Sequence, residues 1–422
     1  MRRSILAVTS EPPWPLNTGG HLRTFHLLRT LARKNRVRLV VPWPGSDPGS
    51  EVGSDPGSDP EALRRHGIDV IRVAVGARTR VREGARALRA AVSGRPYVFY
   101  HRHDWHAVRL ELERQARIER PDVLYLDHLD SFVYRSALPD TPAVGDLHNV
   151  YSTLAARAAI EQRFWPMRTY LTREARLLLD RERDAAATSD ALLVTSDEDR
   201  CFFESLGGPD VTLVPNGVDC AAYADLPVGR LSDAVNILYL GAMSWAPNAA
   251  AACFLARDVM PRIRAVRSDV RLQIVGRGAP REVQQLAQCD GVDVLGEVLS
   301  VRPHLLNAAV LAVPLEAGGG TRLKIVEAFA AGLPVVSTAI GCEGLRVIHD
   351  QHLLIASRAM FVDALLETLR NRSAAAARAE RARTLVCRSY DWGAIGEAAC
   401  AAVERVCCDR IDRASSRSPI PS

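Results

Sequence analysis

Short apolar runs bounded by glycine, proline or aspartate recur along this chain, and stretches with helical periodicity separate them. In the first half the runs fall within residues 1–10 and at Arg36–Val41, Asp122–Leu126, Pro142–Gly145, Ala191–Thr195 and Val211–Val214. In the second half they are Asn236–Leu240, Val270–Val275, Val292–Leu295 and Val310–Val313. Runs of this length read as strands buried on both faces. Between them, Phe25, Leu28 and Ala32 share one helical face, Arg168–Ala187 is a long charged helix, and Leu323, Val326 and Ala330 line another helix that Gly332 and Pro334 stop. Helical sequence continues through Met360–Val386, and Ser389–Trp392 opens a last helix. Alternating strands and helices predict an α/β chain with parallel sheets. The alternation restarts once, so two domains are expected, at 1–218 and 236–387, with a linker at 219–235. A polar tail, 411–422, is expected to be disordered.

Most second-half strands end in glycine. The stretch Pro314–Ser337 is the strongest case: a strand, the run Gly318-Gly319-Gly320, then a helix carrying Arg322, Lys324 and Glu327. A glycine-rich backbone at a helix start can approach an anion closely, where free N–H groups and the helix dipole favour negative charge. Arg322 and Lys324 add formal charge, and Glu327 could accept hydrogen bonds from two adjacent ribose hydroxyls. A sugar-linked diphosphate suits this set, and a ligand-free glycine turn is the competing reading. Gly19-Gly20 repeats the pattern after the first strand. The strand ends at Gly276-Arg277 and Gly296-Glu297-Val298 suggest a crevice walled by backbone, suited to a nucleotide. His128 and His148 each follow a strand of the first half, at the same edge, where they serve chemistry or only cap the strand.

Composition narrows the picture in three places. The 422 residues carry a net charge of only +5, so nucleic acid is not demanded. Nine scattered cysteines without a C-x-x-C pair argue against structural zinc and a disulfide framework and fit a reducing cytoplasm. No stretch approaches the roughly 20 apolar residues of a membrane helix, so any membrane contact would be peripheral, at the inner face of the membrane. Two segments stand apart. Gly45–Pro60 repeats Gly-Ser-Asp-Pro and predicts a mobile insertion. Residues 78–120 are arginine-rich, with Val81, Ala85, Leu88 and Val92 at helical spacing: either a core-facing stripe with a solvated back or a helix lying on anionic lipid.

With these residues laid out, the chain resembles GT-B glycosyltransferases of the large retaining group called GT4, and most of all the bacterial sugar transferases of exopolysaccharide and exosortase loci. The resemblance runs from Ile5 to about Ala402 and rests on the 314–337 stretch, the turn Val214–Asp219, the Gly19-Gly20 loop and Ile274–Gly278. It implies two Rossmann-like domains facing a cleft, a nucleotide-sugar donor of UDP or GDP type held by the second, and a glycan or lipid-linked acceptor held by the first. It also implies a final helix, about 388–410, that returns to the first domain. Glu327 matches the ribose-binding glutamate, and Arg322 and Lys324 match basic positions at the diphosphate. Gly19, Gly20, Gly276, Arg277, Val298, Glu316, Gly319, Gly320 and Thr321 complete the expected donor set. His128 takes the catalytic position near the transferred sugar, with His148 on the acceptor side.

Two departures are visible. Gly319 stands where the family has a first glutamate, which leaves recognition of sugar hydroxyls to a group such as Glu316. The Arg and Lys usual after the first C-domain strand are missing from Ser244–Asn248. No Asp-x-Asp pair is read as a metal motif at a strand end, so a metal-independent reaction without a cofactor is expected, the diphosphate being neutralised by side chains. A nucleotide-sugar isomerase or hydrolase on the same fold, and a non-catalytic binding partner, are the alternatives.

Overall fold

The computed structural model describes residues 2–14, 16, 18–44, 60–76, 80–97, 100–226, 235–317 and 322–415. The chain divides into two compact units, Met1–Pro215 with Ile395–Ser422, and Asn216–Ala394.

The first unit is a seven-stranded parallel sheet. Its strands are β1 (Ser4–Val8), β2 (Arg36–Pro44), β3 (Ile68–Val75), β4 (Val123–Asp127), β5 (Ala143–Leu147), β6 (Ala191–Val194) and β7 (Asp210–Leu213), in the order β3-β2-β1-β4-β5-β6-β7. β1 pairs on one side with β2, Ile5 opposite Val37, and on the other with β4, Ile5 opposite Val123. The order therefore reverses between β1 and β4, and at such a switch point the loops leaving the two strands diverge and open a crevice. Strands β1, β4, β5 and β6 are buried along their whole length, as their continuous apolar runs require. β4 and β5 each extend beyond the apolar runs ending at Leu126 and Gly145 to a buried aspartate, Asp127 and Asp146. The strand β3 was also missed there, because its Asp69 and Arg72 interrupt the apolar pattern.

The second unit repeats the plan with six strands: β8 (Asn236–Leu240), β9 (Arg271–Val275), β10 (Val292–Gly296), β11 (Ala308–Val313), β12 (Val335–Ser337) and β13 (Leu354–Ile355). The order is β10-β9-β8-β11-β12-β13, again with its switch point between the first strand and the fourth. The loops after β8 and β11 therefore border the crevice of this unit.

Several boundaries differ from expectation. The second unit begins at Asn216 rather than after a linker, since Val218 N–H bonds to the Tyr390 carbonyl at 2.8 Å and Trp392 N–H returns to the Val218 carbonyl at 3.1 Å. Within the expected linker, Cys220–Tyr223 forms a short turn and Tyr223 and Leu226 are buried; residues 227–234 lie outside the described residues. The 360–386 region is two helices, Phe361–Arg370 and Arg372–Ser389, because Asn371 caps the second through its side chain and Ala374 N–H. The last helix, Trp392–Ser415, runs five residues into the tail expected to be disordered. Most of the Gly45–Pro60 repeat, residues 45–59, lies outside the described residues; Pro60 opens the helix Pro60–Arg65. In the Arg80–Val92 helix Ala85, Leu88 and Val92 of the expected core-facing stripe are exposed and, among the described side chains, Ala90 is the buried one; the Val81 side chain lies outside the described residues.

Candidate active site

In the second unit the loop after β8 carries Asn248 into the first turn of the Ala246–Phe254 helix. The Asn248 Oδ1 accepts from the Tyr239 hydroxyl at 3.1 Å, and its amide donates to the Ala242 carbonyl at 3.0 Å. Held from both sides, Asn248 also accepts from Lys324 Nζ at 2.9 Å, while the ammonium lies 5.0 Å from the centroid of the Tyr239 ring. Lys324 stands in the first turn of the Leu323–Ala330 helix, where its charge adds to the positive end of the helix dipole. Burial, with the neighbouring Arg322 adding to it, brings the Lys324 ammonium down to about 7.

Glu327, one turn further along, is half-buried, and among the described residues its carboxylate has no hydrogen bond or ion pair. Burial alone raises it to about 7. This crevice thus holds a cation and a carboxylate whose charged forms are both destabilised by lost hydration.

Backbone lines the rest. At Gly276 a side chain is excluded, since a Cβ there would lie 1.6 Å from the Gly241 carbonyl oxygen and φ is +154°. Arg277 is exposed, and its carbonyl accepts from Met243 N–H at 2.8 Å, tying the two loops together. Val298 packs half-buried on the core. Arg322 is buried with its guanidinium donating to the Ile340 carbonyl at 2.9 Å, so its charge reaches the crevice as a field rather than as a free hand. Glu316 pairs with Arg358 at 2.9 Å. Gly319, Gly320 and Thr321 lie outside the described residues.

In the first unit, the switch point is occupied by an acid–base network. Asp127, fully buried at the end of β4, receives His128 Nδ1 at 2.9 Å, His148 Nε2 at 3.2 Å, the Thr9 hydroxyl at 3.0 Å and the Thr24 hydroxyl at 2.9 Å. Asp146, equally buried at the end of β5, is held by Arg23 Nε at 2.9 Å, Arg23 Nη2 at 2.5 Å and the Tyr125 hydroxyl at 2.8 Å. Burial works against the Asp146 carboxylate, and the Arg23 charge with His148 overcomes it, bringing the group to about 2. For His128 burial opposes the cation, but Asp127 outweighs it and lifts the imidazole to about 9.

The His128 and His148 rings sit 3.4 Å apart between centroids. His128 adopts φ +68°, a conformation that costs a non-glycine residue about 1–3 kcal/mol and persists only where the surrounding structure holds it. Gly20, in the first turn of the Gly19–Lys34 helix, admits this pair: a Cβ there would stand 3.2 Å from His128 Nε2.

Sequence reasoning thus placed Gly20, His128 and His148 together but missed Asp127, Asp146, Arg23 and Thr24. A signal was present, since an arginine and a threonine interrupt the apolar face of the first helix and both histidines closely follow an aspartate. Asp127, His128 and His148 also offer ligand-type atoms within 4.8 Å of one another, the donor set among the described residues that could hold a metal. The Asp127 oxygens there are already engaged by two imidazoles and two hydroxyls. One Asp-x-Asp pair, Asp197 and Asp199, does follow β6, against the sequence reading. It forms the first turn of a helix, with Asp199 N–H capped by Ser196, the Asp199 carboxylate on Thr195 at 2.8 Å and Asp197 on Arg200 at 2.7 Å.

Comparison with known proteins gives consistent matches. Residues 61–222 match the Glycosyltransferase Family 4 family and residues 234–371 the Glycosyl transferases group 1 family. A phosphatidyl-myo-inositol mannosyltransferase of Mycolicibacterium smegmatis is 32% identical over 209 residues, 46% of this chain and 52% of that protein. The chain therefore spans about half the length of the curated mannosyltransferases it matches. A glycogen synthase of Mycobacterium tuberculosis is 26% identical over 362 residues, 75% of this chain and 80% of that one. Among solved structures, sucrose-phosphate synthase from Thermosynechococcus elongatus aligns with TM-score 0.67 at 17% identity, over 97% of this chain and all of that one. Anabaena HepE in complex with UDP and glucose aligns with TM-score 0.64 at 13% identity, over 96% of this chain and all of that one.

Proposed function

The chain belongs to the GT4-like glycosyltransferases of the GT-B fold, and from that premise we propose that it moves a sugar from a nucleoside-diphosphate donor to a hydroxyl of a glycan or lipid-linked acceptor, with retention and without a metal. The observation that carries this reading is the second-unit crevice, where Lys324 is aimed by Asn248 and Tyr239 one helical turn from an unpaired Glu327. A diphosphate restores the charge of Lys324, and ribose hydroxyls give the Glu327 carboxylate the donors it lacks. The HepE structure, with UDP and glucose bound on this fold, supports a donor of that class.

In the proposed reaction the bond from the anomeric carbon to the phosphate oxygen breaks and a bond to the acceptor oxygen forms. Negative charge develops on the departing diphosphate, where Lys324 acts directly and Arg322 adds field. The acceptor proton passes to the departing phosphate oxygen, which in a retaining transfer lies on the same face of the sugar. On the first unit, Asp127 keeps His128 cationic and orients it as a hydroxyl-binding group, and His148 beside it serves the acceptor.

The test is a thermal-shift screen of nucleoside diphosphates, followed by turnover of the matching nucleotide sugars with and without a chelator. A ligand at 100 times its Kd adds about 2.7 kcal/mol to stability. The product should keep the donor's anomeric configuration, and Lys324→Met should lower kcat by about 10²–10³-fold, as loss of one preorganised donor to a developing anion does. No stabilisation by any nucleoside diphosphate overturns the reading.

A further inference from the structure

The first unit carries a second feature, away from its acid–base network, that catalysis does not use. Two helices, Tyr151–Glu161 and Trp165–Thr188, meet at a short connection, and around it large apolar side chains stand in water. Ile160 is 79% exposed, Phe164 63% and Trp165 74%, and Met167 is exposed beside them. Water-exposed aromatic and aliphatic groups gathered at one tip signal a contact surface, where scattered single ones would not.

Along the second helix Trp165, Arg168, Thr169, Thr172, Arg173 and Arg176 follow one another at i, i+3, i+4, i+7, i+8 and i+11, a single face. These residues line a shallow groove of about 470 Å³. Residues 162–173 contain three arginines and no carboxylate, and among the described residues Arg163, Arg168 and Arg176 form no ion pair. The groove therefore offers the unneutralised guanidinium groups of Arg168 and Arg176 and two hydroxyls immediately beside the apolar tip.

The surface continues onto the Arg80–Val92 helix. Arg173 donates to the Ala91 carbonyl at 2.8 Å, and Tyr97 N–H bonds to the buried Glu174 at 3.1 Å, so the two segments are fastened together. This joins the outward-facing Leu88 and Val92, at 68% and 83% exposure, to the same side of the unit. The paired helices are themselves clamped, Glu182 accepting from Ser152 N–H at 3.0 Å, so the tip is presented by a fixed hairpin.

We propose that this surface docks on an anionic phospholipid bilayer, with Phe164, Trp165 and Ile160 entering the interface and Arg163, Arg168 and Arg176 meeting lipid phosphates. The choice of a bilayer over a protein partner follows from the chemistry. Apolar tips insert to a shallow depth among acyl chains while arginines at the same level bind phosphate bidentately, and aromatic rings favour that boundary. No helix among the described residues is long and apolar enough to cross a membrane, so the contact is interfacial. The proposal goes beyond the donor chemistry and stands or falls separately from it.

The test is co-sedimentation of the full chain with vesicles of phosphatidylcholine alone and of phosphatidylcholine containing about one-third phosphatidylglycerol. Expected are binding to the anionic vesicles only and weakening with salt as the surface charge is screened. Phe164→Ser with Trp165→Ser should lower the partition coefficient by at least tenfold. Arg168→Gln with Arg176→Gln should lower it by about 25-fold, since each basic group near an anionic surface is worth about fivefold. All four positions are exposed, so an unchanged unfolding midpoint of each variant verifies folding, and nucleoside-diphosphate binding should stay at the parental level. Parental protein that stays in the supernatant at low salt, or an apolar double variant that sediments like the parent, overturns the proposal. So does a parental dimer that the apolar substitutions convert to monomer without changing sedimentation.

Discussion

The two crevices use buried charge in opposite ways. In the first unit the buried carboxylates of the network are answered within the protein, Asp146 by Arg23 and Tyr125 and Asp127 by two histidines and two hydroxyls. The charged forms are stabilised there, Asp146 at about 2 and His128 at about 9. In the second unit Lys324 and Glu327 have no oppositely charged partner among the described residues, and burial drives them toward neutrality near pH 7 from either side. A paired network holds its shape before any ligand arrives. An unpaired cation and carboxylate hold interaction energy in reserve for a ligand with phosphates and hydroxyls, and that energy is released only on binding.

The sharpest way to break this comparison is to measure unfolding. Arg23→Leu leaves Asp146 buried without its main partner, and breaking a buried pair from one side costs about 3–5 kcal/mol. In the same urea titration Lys324→Met should cost nothing or stabilise the chain slightly, since it removes a desolvated cation. A loss below about 1 kcal/mol in Arg23→Leu would mean that the first network is not preorganised by pairing.

A smaller effect is expected on binding. Glu327→Gln should weaken a nucleoside diphosphate by about 1–3 kcal/mol, the cost of losing a charged acceptor for the ribose hydroxyls. Folding stability should stay level, because the carboxylate has no partner to lose among the described residues. Calorimetry of parental affinity in the variant would remove Glu327 from the donor site.

The smallest effects are in proton linkage, and here the signs differ between the two charged groups of the second unit. Lys324 binds a diphosphate as the ammonium, so binding takes up protons and affinity falls as pH rises through about 7, by at most tenfold per unit. Glu327 accepts from hydroxyls as the carboxylate, so its share releases protons and favours binding as pH rises through the same value. Titrations in buffers of different ionisation heat should show net uptake in Glu327→Gln and net release in Lys324→Met. His128 acts on stability instead. Its folded value of about 9 lies above the ordinary 6.5, so its contribution is complete below 6.5 and is lost as pH climbs through about 9. Equal proton exchange in both variants would erase the distinction.

The sequence by itself determined the strand–helix alternation, its restart in the second half, the parallel sheets and the glycine loops at strand ends. Those features are written in local periods and in residues with one backbone use. Lys324 and Glu327 were legible for the same reason: they sit a fixed number of residues after a glycine run on one helix. Tertiary structure alone decided who meets whom. Arg23 and Asp146 are 123 positions apart and Lys324 and Asn248 are 76 apart, and no local pattern encodes a contact that only sheet order creates. It also decided the outward face of Leu88 and Val92. A helical stripe is the same string whether it points to a core or to water, and only the packing of neighbouring elements chooses between them.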